Sequence, residues 1–240
     1  MGGGSAQPAG RMLWERFADL HSHIIPDVDD GSASFEESLA MIGVAYKSGV
    51  RRLCATSHVR EQWPNAAEAL QAKFTELAAR TKAAGMADMT LHLSAEYMLD
   101  EAFFALLRKG NLLPLPGKLL LVEISYYAPP LNLNDMLFEI TTHGYTPLIA
   151  HPERYGYYHN HIQQYAAFKE KGYPFQLDLL SLQGSYGKSV QKTALMLLEK
   201  GYINYVGSDM HSVNDAQTVA AFLQSPASAP LTRWLQRKDF

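Results

Sequence analysis

A single cysteine in 240 residues excludes an internal disulfide and any zinc site built from several thiolates. That residue, Cys54, lies in the apolar run Leu53-Cys54-Ala55, which predicts a buried structural thiol rather than a nucleophile. No stretch approaches the roughly 20 apolar residues that cross a bilayer, so membrane insertion is not expected. Lys and Arg form no long run and the net charge is −3, which argues against a nucleic-acid or anionic-membrane surface. No internal repeat, low-complexity tract or Pro/Gly/Ser-rich linker divides the chain. The opening Met1-Gly2-Gly3-Gly4-Ser5 lacks the charged-then-apolar order of a signal peptide. Residues 1–12 therefore read as a flexible leader ahead of a single domain over 13–240, and a cytoplasmic location follows by default.

What is present is an ordinary globular composition, 47% hydrophobic and 19% charged, patterned as short apolar runs alternating with longer amphipathic stretches. Strands are expected at 17–20, 52–56, 90–95, 119–123, 146–150, 175–178 and 203–207. Each is short and apolar, as strands buried on both faces of a parallel sheet should be. Helices are expected at 35–48, 66–84, 101–109, 134–143, 162–171 and 188–200. The first opens on Ser34 with Glu37 three residues on, a capping box, and all six run into a glycine. Seven strands alternating with helices fit a doubly wound sheet or a closed β/α barrel.

The polar residues choose between the two. His21 and His23, His58, Glu96, Glu123, His151, then Asp209 and His211 follow or close six of the seven expected strands. In a barrel those ends converge on one rim; in an open sheet the outer strands would hold their groups too far apart. A distorted seven-stranded barrel is the expectation.

Each signal is weak alone. His-x-His can be two rings on one exposed strand face, a lone His58 or His151 can be a hydrogen-bonded structural residue, Asp29-Asp30-Gly31 can be a turn, and Glu96 can be a solvated loop residue. Glu123 is more telling, because a carboxylate closing the apolar run Leu119-Leu120-Leu121-Val122 needs a partner or a cation. Together they point to a metal centre. Imidazole and carboxylate without thiolate suit Mn, Zn or Fe, and so many donors imply two or three ions, an arrangement that serves phosphoester hydrolysis first and leaves amide or amidine hydrolysis at a binuclear site open. His92, His143, His159 and His161 lie elsewhere and read as structural or solvated.

The motifs Asp19-Leu20-His21-Ser22-His23-Ile24-Ile25-Pro26, Asp29-Asp30-Gly31-Ser32, Ala55-Thr56-Ser57-His58, Glu96, Val122-Glu123, Ile149-Ala150-His151-Pro152-Glu153-Arg154-Tyr155 and Gly207-Ser208-Asp209-Met210-His211 occur in that order. This set resembles the PHP (polymerase and histidinol phosphatase) superfamily, and within it the bacterial protein-tyrosine phosphatases of the CpsB/YwqE type, associated with capsule and exopolysaccharide regulation. The resemblance implies a distorted (β/α)7 barrel with a trinuclear, manganese-activated centre. One ion would take His21, His23, Glu96 and Asp209. Glu96 would bridge to a second, held also by Glu123 and His151, and a third would take His58, His211 and Asp30. Arg154 and Asp209 would be catalytic, with Arg154, aided by Arg60, binding the phosphate. The implied substrate is a phosphotyrosine protein, the tail of a bacterial tyrosine kinase controlling polysaccharide export. The resemblance also leaves open histidinol-phosphate or another small phosphoester, and a non-catalytic binding module is the reading from a different class. Two departures stand out: Ser57 replaces the proline frequent before the His58 position, and 212–218 lacks an arginine that many relatives carry.

Overall fold

The computed structural model describes residues 17–237, so the leader expected over 1–12 lies outside the described residues. The apolar runs form nine parallel strand segments: β1 (Ala18–Asp19), β2 (Arg52–Ala55), β3 (His58–Val59), β4 (Thr90–Leu93), β5 (Glu96–Met98), β6 (Leu119–Glu123), β7 (Thr146–Ala150), β8 (Phe175–Asp178) and β9 (Tyr205–Gly207). They make two sheets, ordered β1-β2-β4 and β3-β5-β6-β7-β8-β9. There are more segments than expected strands because two strands break and change partner. Between β2 and β3, Thr56 N–H donates to the Ser22 carbonyl (2.8 Å), and between β4 and β5, Ser94 N–H donates to the Ala55 carbonyl (2.8 Å). The last expected strand starts late, at Tyr205, because Asn204 uses its side-chain oxygen to accept from the Phe175 N–H (3.1 Å).

The helices are α1 (Phe35–Lys47), α2 (Ala67–Ala83), α3 (Glu101–Lys109), α4 (Leu133–Thr142), α5 (Ile162–Glu170), α6 (Leu179–Gln183), α7 (Lys188–Glu199), α8 (Val213–Gln224) and α9 (Ala229–Gln236). The Ser34 hydroxyl caps α1 by accepting from the Glu37 N–H (3.1 Å), while the Glu37 carboxylate reaches one residue beyond the usual box, to the Ala33 N–H (2.9 Å). Three helices, α6, α8 and α9, lie outside the sequence reading. Asp178 caps α6 (2.7 Å to the Leu180 N–H) and Ser212 caps α8 (3.2 Å to the Asp215 N–H), so each starts on a polar residue directly after the rim.

β6 and β7 run through the core, with Leu120, Leu121, Val122, Leu148 and Ile149 all fully buried. Each such side chain contributes about 1.5–3 kcal/mol by leaving water, which fixes the register that aims Glu123 and His151 at the rim. Cys54 is buried as expected, and burial pushes its thiol up to about 12. The sheet is curled. Leu20 N–H donates to the Val206 carbonyl (3.2 Å), Asp209 N–H to the His21 carbonyl (2.8 Å) and His23 N–H to the Met210 carbonyl (3.0 Å), which sets the first strand's exit beside the last.

Candidate metal centre

His-x-His leaves β1 with both rings on one side. Ser22 points the other way, its hydroxyl donating to the Cys54 carbonyl (2.7 Å). The imidazoles of His21 and His23 meet nitrogen to nitrogen, Nε2 to Nε2, at 3.1 Å. Two glycines make room for them. A Cβ on Gly207 would lie 2.4 Å from the His21 Cβ, and one on Gly31 would lie 2.5 Å from the His23 Cβ. The glycine of the Asp-Asp-Gly turn is thus required by the approach of His23.

Donor atoms from the whole rim gather there in three overlapping groups: His21, His23, Glu96 and Asp209; His23, Asp30, His58 and His211; and His58, Glu96 and Glu123. In the first, Asp209 Oδ1 lies 3.1 and 3.3 Å from the Nε2 atoms of His21 and His23. Glu96 Oε2 lies 3.3 and 3.5 Å from the same pair and 2.9 Å from His58 Nδ1. Asp30 Oδ1 is 3.6 Å from the Nε2 atoms of both His58 and His211. His151 Nε2 faces Glu96 Oε1 at 3.0 Å and stands 3.9 Å from Glu123 Oε1, beside the group of His58, Glu96 and Glu123. All nine expected ligands share one site.

The donor set fits cations. Glu96 Oε2 and Asp209 Oδ1 are buried without a hydrogen bond among the described residues. Two imidazole nitrogens facing each other cannot both donate, and a cation between nitrogen and oxygen lone pairs satisfies all of them. Without that charge the site titrates abnormally. Burial pushes the His21 imidazolium down, but the Asp209 and Glu96 carboxylates outweigh it and raise the ring to about 9. Burial, then the neighbouring Glu96 charge, lifts Glu123 to about 8, and burial lowers His151 to about 4.

The adjacent Asp29 plays a different part from Asp30. It accepts from His23 Nδ1 (2.9 Å), the His58 N–H (2.9 Å) and the Gly31 N–H (3.0 Å), holding the ring whose other nitrogen faces the centre. Gln176 does the same for His21, accepting from Nδ1 at 2.9 Å. Sequence reasoning passed over Gln176, although an amide inside the buried strand Phe175-Gln176-Leu177-Asp178 was its signal. Asp215 and Trp63 were missed too: Asp215 accepts from the His211 N–H (3.1 Å), and the Trp63 ring stacks on His58 with centroids 5.4 Å apart. His151 and Asp209 sit in left-handed backbone, φ 31° and 50°, an unusual conformation for non-glycine residues that costs of order 1–3 kcal/mol each.

Both expected arginines reach the same small cavity of about 120 Å³, which is also lined by Tyr126. Arg60 Nη1 lies 3.3 Å from Glu123 Oε2, its guanidinium 4.4 Å from the Trp63 ring centre. Arg154 Nη1 donates to Asp209 Oδ2 (2.5 Å) and lies 3.7 Å from Asp178. Its partners are therefore these two acids rather than the neighbouring Glu153, whose Oε1 accepts the Asp178 N–H instead (3.0 Å). His92, His143 and His159 bond to the Pro114, Glu139 and Glu153 carbonyls, and with His161 they lie outside the three groups. No helix among the described residues is long and apolar enough to cross a membrane.

Residues 17–220 match the family model for capsular polysaccharide synthesis proteins of the CpsB/CapC type. The tyrosine-protein phosphatase CpsB of Streptococcus pneumoniae is 31% identical over 204 residues, covering 82% of this chain and 83% of its own. The tyrosine-protein phosphatase YwqE of Bacillus subtilis (strain 168) is 30% identical over 199 residues, covering 81% and 77%. The putative tyrosine-protein phosphatase CapC of Staphylococcus aureus is 26% identical over 199 residues, covering 82% and 78%. A crystal structure from work on YwqE of Bacillus subtilis and CpsB of Streptococcus pneumoniae, described as unique metal-dependent tyrosine phosphatases, superposes with a TM-score of 0.79. It has 27% identity and covers 89% of each chain.

Proposed function

The chain belongs to the CpsB/CapC family of capsular polysaccharide synthesis proteins, and on that premise we propose that it is a metal-dependent protein-tyrosine phosphatase. The observation that carries this reading is the buried convergence of three donor groups beside a cavity that holds two guanidinium groups. Two or three divalent ions, manganese first and iron or zinc as alternatives, would be held by His21, His23, Glu96 and Asp209, by Asp30, His58 and His211, and by Glu96, Glu123 and His151. Such ions supply Lewis-acid activation of water and neutralise charge on a phosphoryl group.

The chain's own groups do the rest. Arg154 uses Nη1 on Asp209, which leaves Nε and Nη2 for two non-bridging phosphate oxygens. Arg60 pairs with the opposite acid, Glu123, and brings a second guanidinium to the cavity wall. The phenol of tyrosine leaves with a pKa of about 10, well below that of an alkyl alcohol, and needs no strong general acid. The hydrogen bonds between the exits of β1 and β9 support counting the curled sheet as a distorted (β/α)7 barrel, with β2/β3 and β4/β5 as broken single strands. The family assignment supports a phosphorylated bacterial tyrosine kinase of polysaccharide export as the substrate. The test is metal analysis and hydrolysis of a phosphotyrosine peptide on one preparation. The expected result is more than one divalent ion per chain and phosphate release abolished by chelation; turnover unchanged after complete metal removal overturns the reading.

A further inference from the structure

Arg154 is not held by acids alone. Its guanidinium carbon lies 5.0 Å from the ring centre of Tyr126 and 4.2 Å from that of Tyr186. Tyr126 comes from the loop after β6, and Tyr186 from the short connection between α6 and α7. Their sequence positions are 60 apart, yet both deliver a ring to the same cation. Both stay 39% and 38% exposed, which is unusual for large rings packed so closely beside a buried site. Tyr126 also stacks on His151, with centroids 5.7 Å apart and planes inclined by 21°. Tyr126 lines the cavity and Tyr186 stands against the same guanidinium, so Arg154 joins a polar floor of candidate metal ligands to a pair of exposed rings.

We infer that Tyr126 and Tyr186 form an aryl subsite that receives the phenyl ring of the substrate. The inference rests on the phosphatase reading and deepens it. A phosphate seated on the free nitrogens of Arg154 projects its ester group past the guanidinium, and the groups there are the two exposed rings. A planar aryl group gains offset or edge contacts with them, whereas a flexible alkyl chain fills the same space with poorer contact and a greater loss of freedom. The two rings thus select phosphotyrosine over alkyl monoesters of similar size.

The test compares phenyl phosphate with a linear alkyl phosphate on metal-loaded enzyme, reading the ratio of their kcat/KM values. Inhibition by inorganic phosphate reports on Arg154 separately. Because Tyr126 and Tyr186 also position Arg154, absolute activity falls in Tyr126→Leu and Tyr186→Leu; the ratio is the diagnostic quantity. Each leucine variant is expected to lower the aryl-to-alkyl ratio by roughly 2- to 10-fold, the worth of one ring pair. The matching phenylalanine variants, which keep the ring and are the least disruptive to folding, are expected to hold the wild-type ratio. A ratio unchanged in both leucine variants, with activity and phosphate inhibition falling in parallel, makes the tyrosines mere supports of Arg154 and overturns the subsite. A ratio that also falls in the phenylalanine variants assigns the effect to the hydroxyls and overturns it as well. Wild-type enzyme that hydrolyses neither substrate with full metal occupancy overturns the phosphatase reading, and the subsite with it.

Discussion

Asp209 and Arg154 are joined by a hydrogen bond of 2.5 Å between Oδ2 and Nη1, while the other oxygen of Asp209 faces His21 and His23. One carboxylate thus connects the candidate metal ligands to Arg154, the residue proposed to bind phosphate. Phosphate affinity and metal occupancy should therefore influence each other through a single side chain.

Removal of Arg154 measures that link. Arg154→Ala should lower kcat/KM for a phosphotyrosine peptide by roughly 30- to 1,000-fold, the loss of one charged contact to the transition state. At saturating metal it should stay loaded, because all other donors remain. Arg154→Lys should recover only part, since an ammonium lacks the planar fork that serves Asp209 and phosphate together. Metal content and kinetics on the same samples check this; loss of metal at saturation would make Arg154 a support of the centre instead.

Glu96 stands in two of the three donor groups and also faces His151. Glu96→Ala should lose more than one equivalent of metal and nearly all activity, a larger loss than His211→Ala, whose residue stands in one group. Wild-type metal content in the Glu96 variant would remove it from the centre.

Loading the metal-free protein should expel protons. In that form His21 is raised to about 9 and Glu123 to about 8, so both carry protons at pH 7.5, and cations require them bare. Affinity should therefore climb as pH rises towards about 9. For folding of the metal-free chain the His21 sign is opposite: stabilisation is complete below the ring's unfolded value near 6.5 and is lost as pH rises through about 9. Titration calorimetry in buffers of different ionisation enthalpy should count at least one proton released per chain; a count of zero contradicts the protonation states.

Glu153 offers a second pH readout. Burial raises its carboxyl from 4.5 to about 7. The unfolded chain releases this proton first, so the metal-free protein should lose stability as pH rises from about 4.5 to about 7, by up to roughly 3 kcal/mol. Glu153→Gln keeps an acceptor for the Asp178 N–H and should remove this part of the slope. Urea unfolding of both proteins at pH 5 and pH 8 decides; parallel slopes would show that Glu153 ionises freely.

The site was more legible than the frame that holds it. Glu123 stood out because a carboxylate closing a short apolar run has few bland explanations, whereas His21 and Asp209 gained weight only jointly, because strand order brings such ends together. Gln176 and Asp29 were not read as supports, since their role is to bond a ring whose position only the fold defines. The breaks between β2 and β3 and between β4 and β5 were hidden because Thr56, Ser57, Ser94 and Ala95 carry no turn signature; the change of partner depends on hydrogen bonds to Ser22 and Ala55. The helix α8 was missed although Ser212 caps it, because its apolar positions Ala216, Val219, Phe222 and Leu223 follow directly on the metal motif. Tyr126 and Tyr186 have no sequence signal: each is a tyrosine in a loop until Arg154 is found between their elements.

The pairing of His21 with Asp209 also orders events in time. A ribosome delivers His21 and His23 almost at once, then must add every residue to Asp209 and His211 before their partners exist. Until then two imidazoles and, later, Glu96 wait with an open side, and the fold's first strand has no final neighbour. A nascent chain stopped at residue 200 lacks Asp209 and His211, and so cannot complete the groups to which they belong. Any chain that stops short of Asp209 therefore carries an incomplete set of donors, however well its earlier strands have folded.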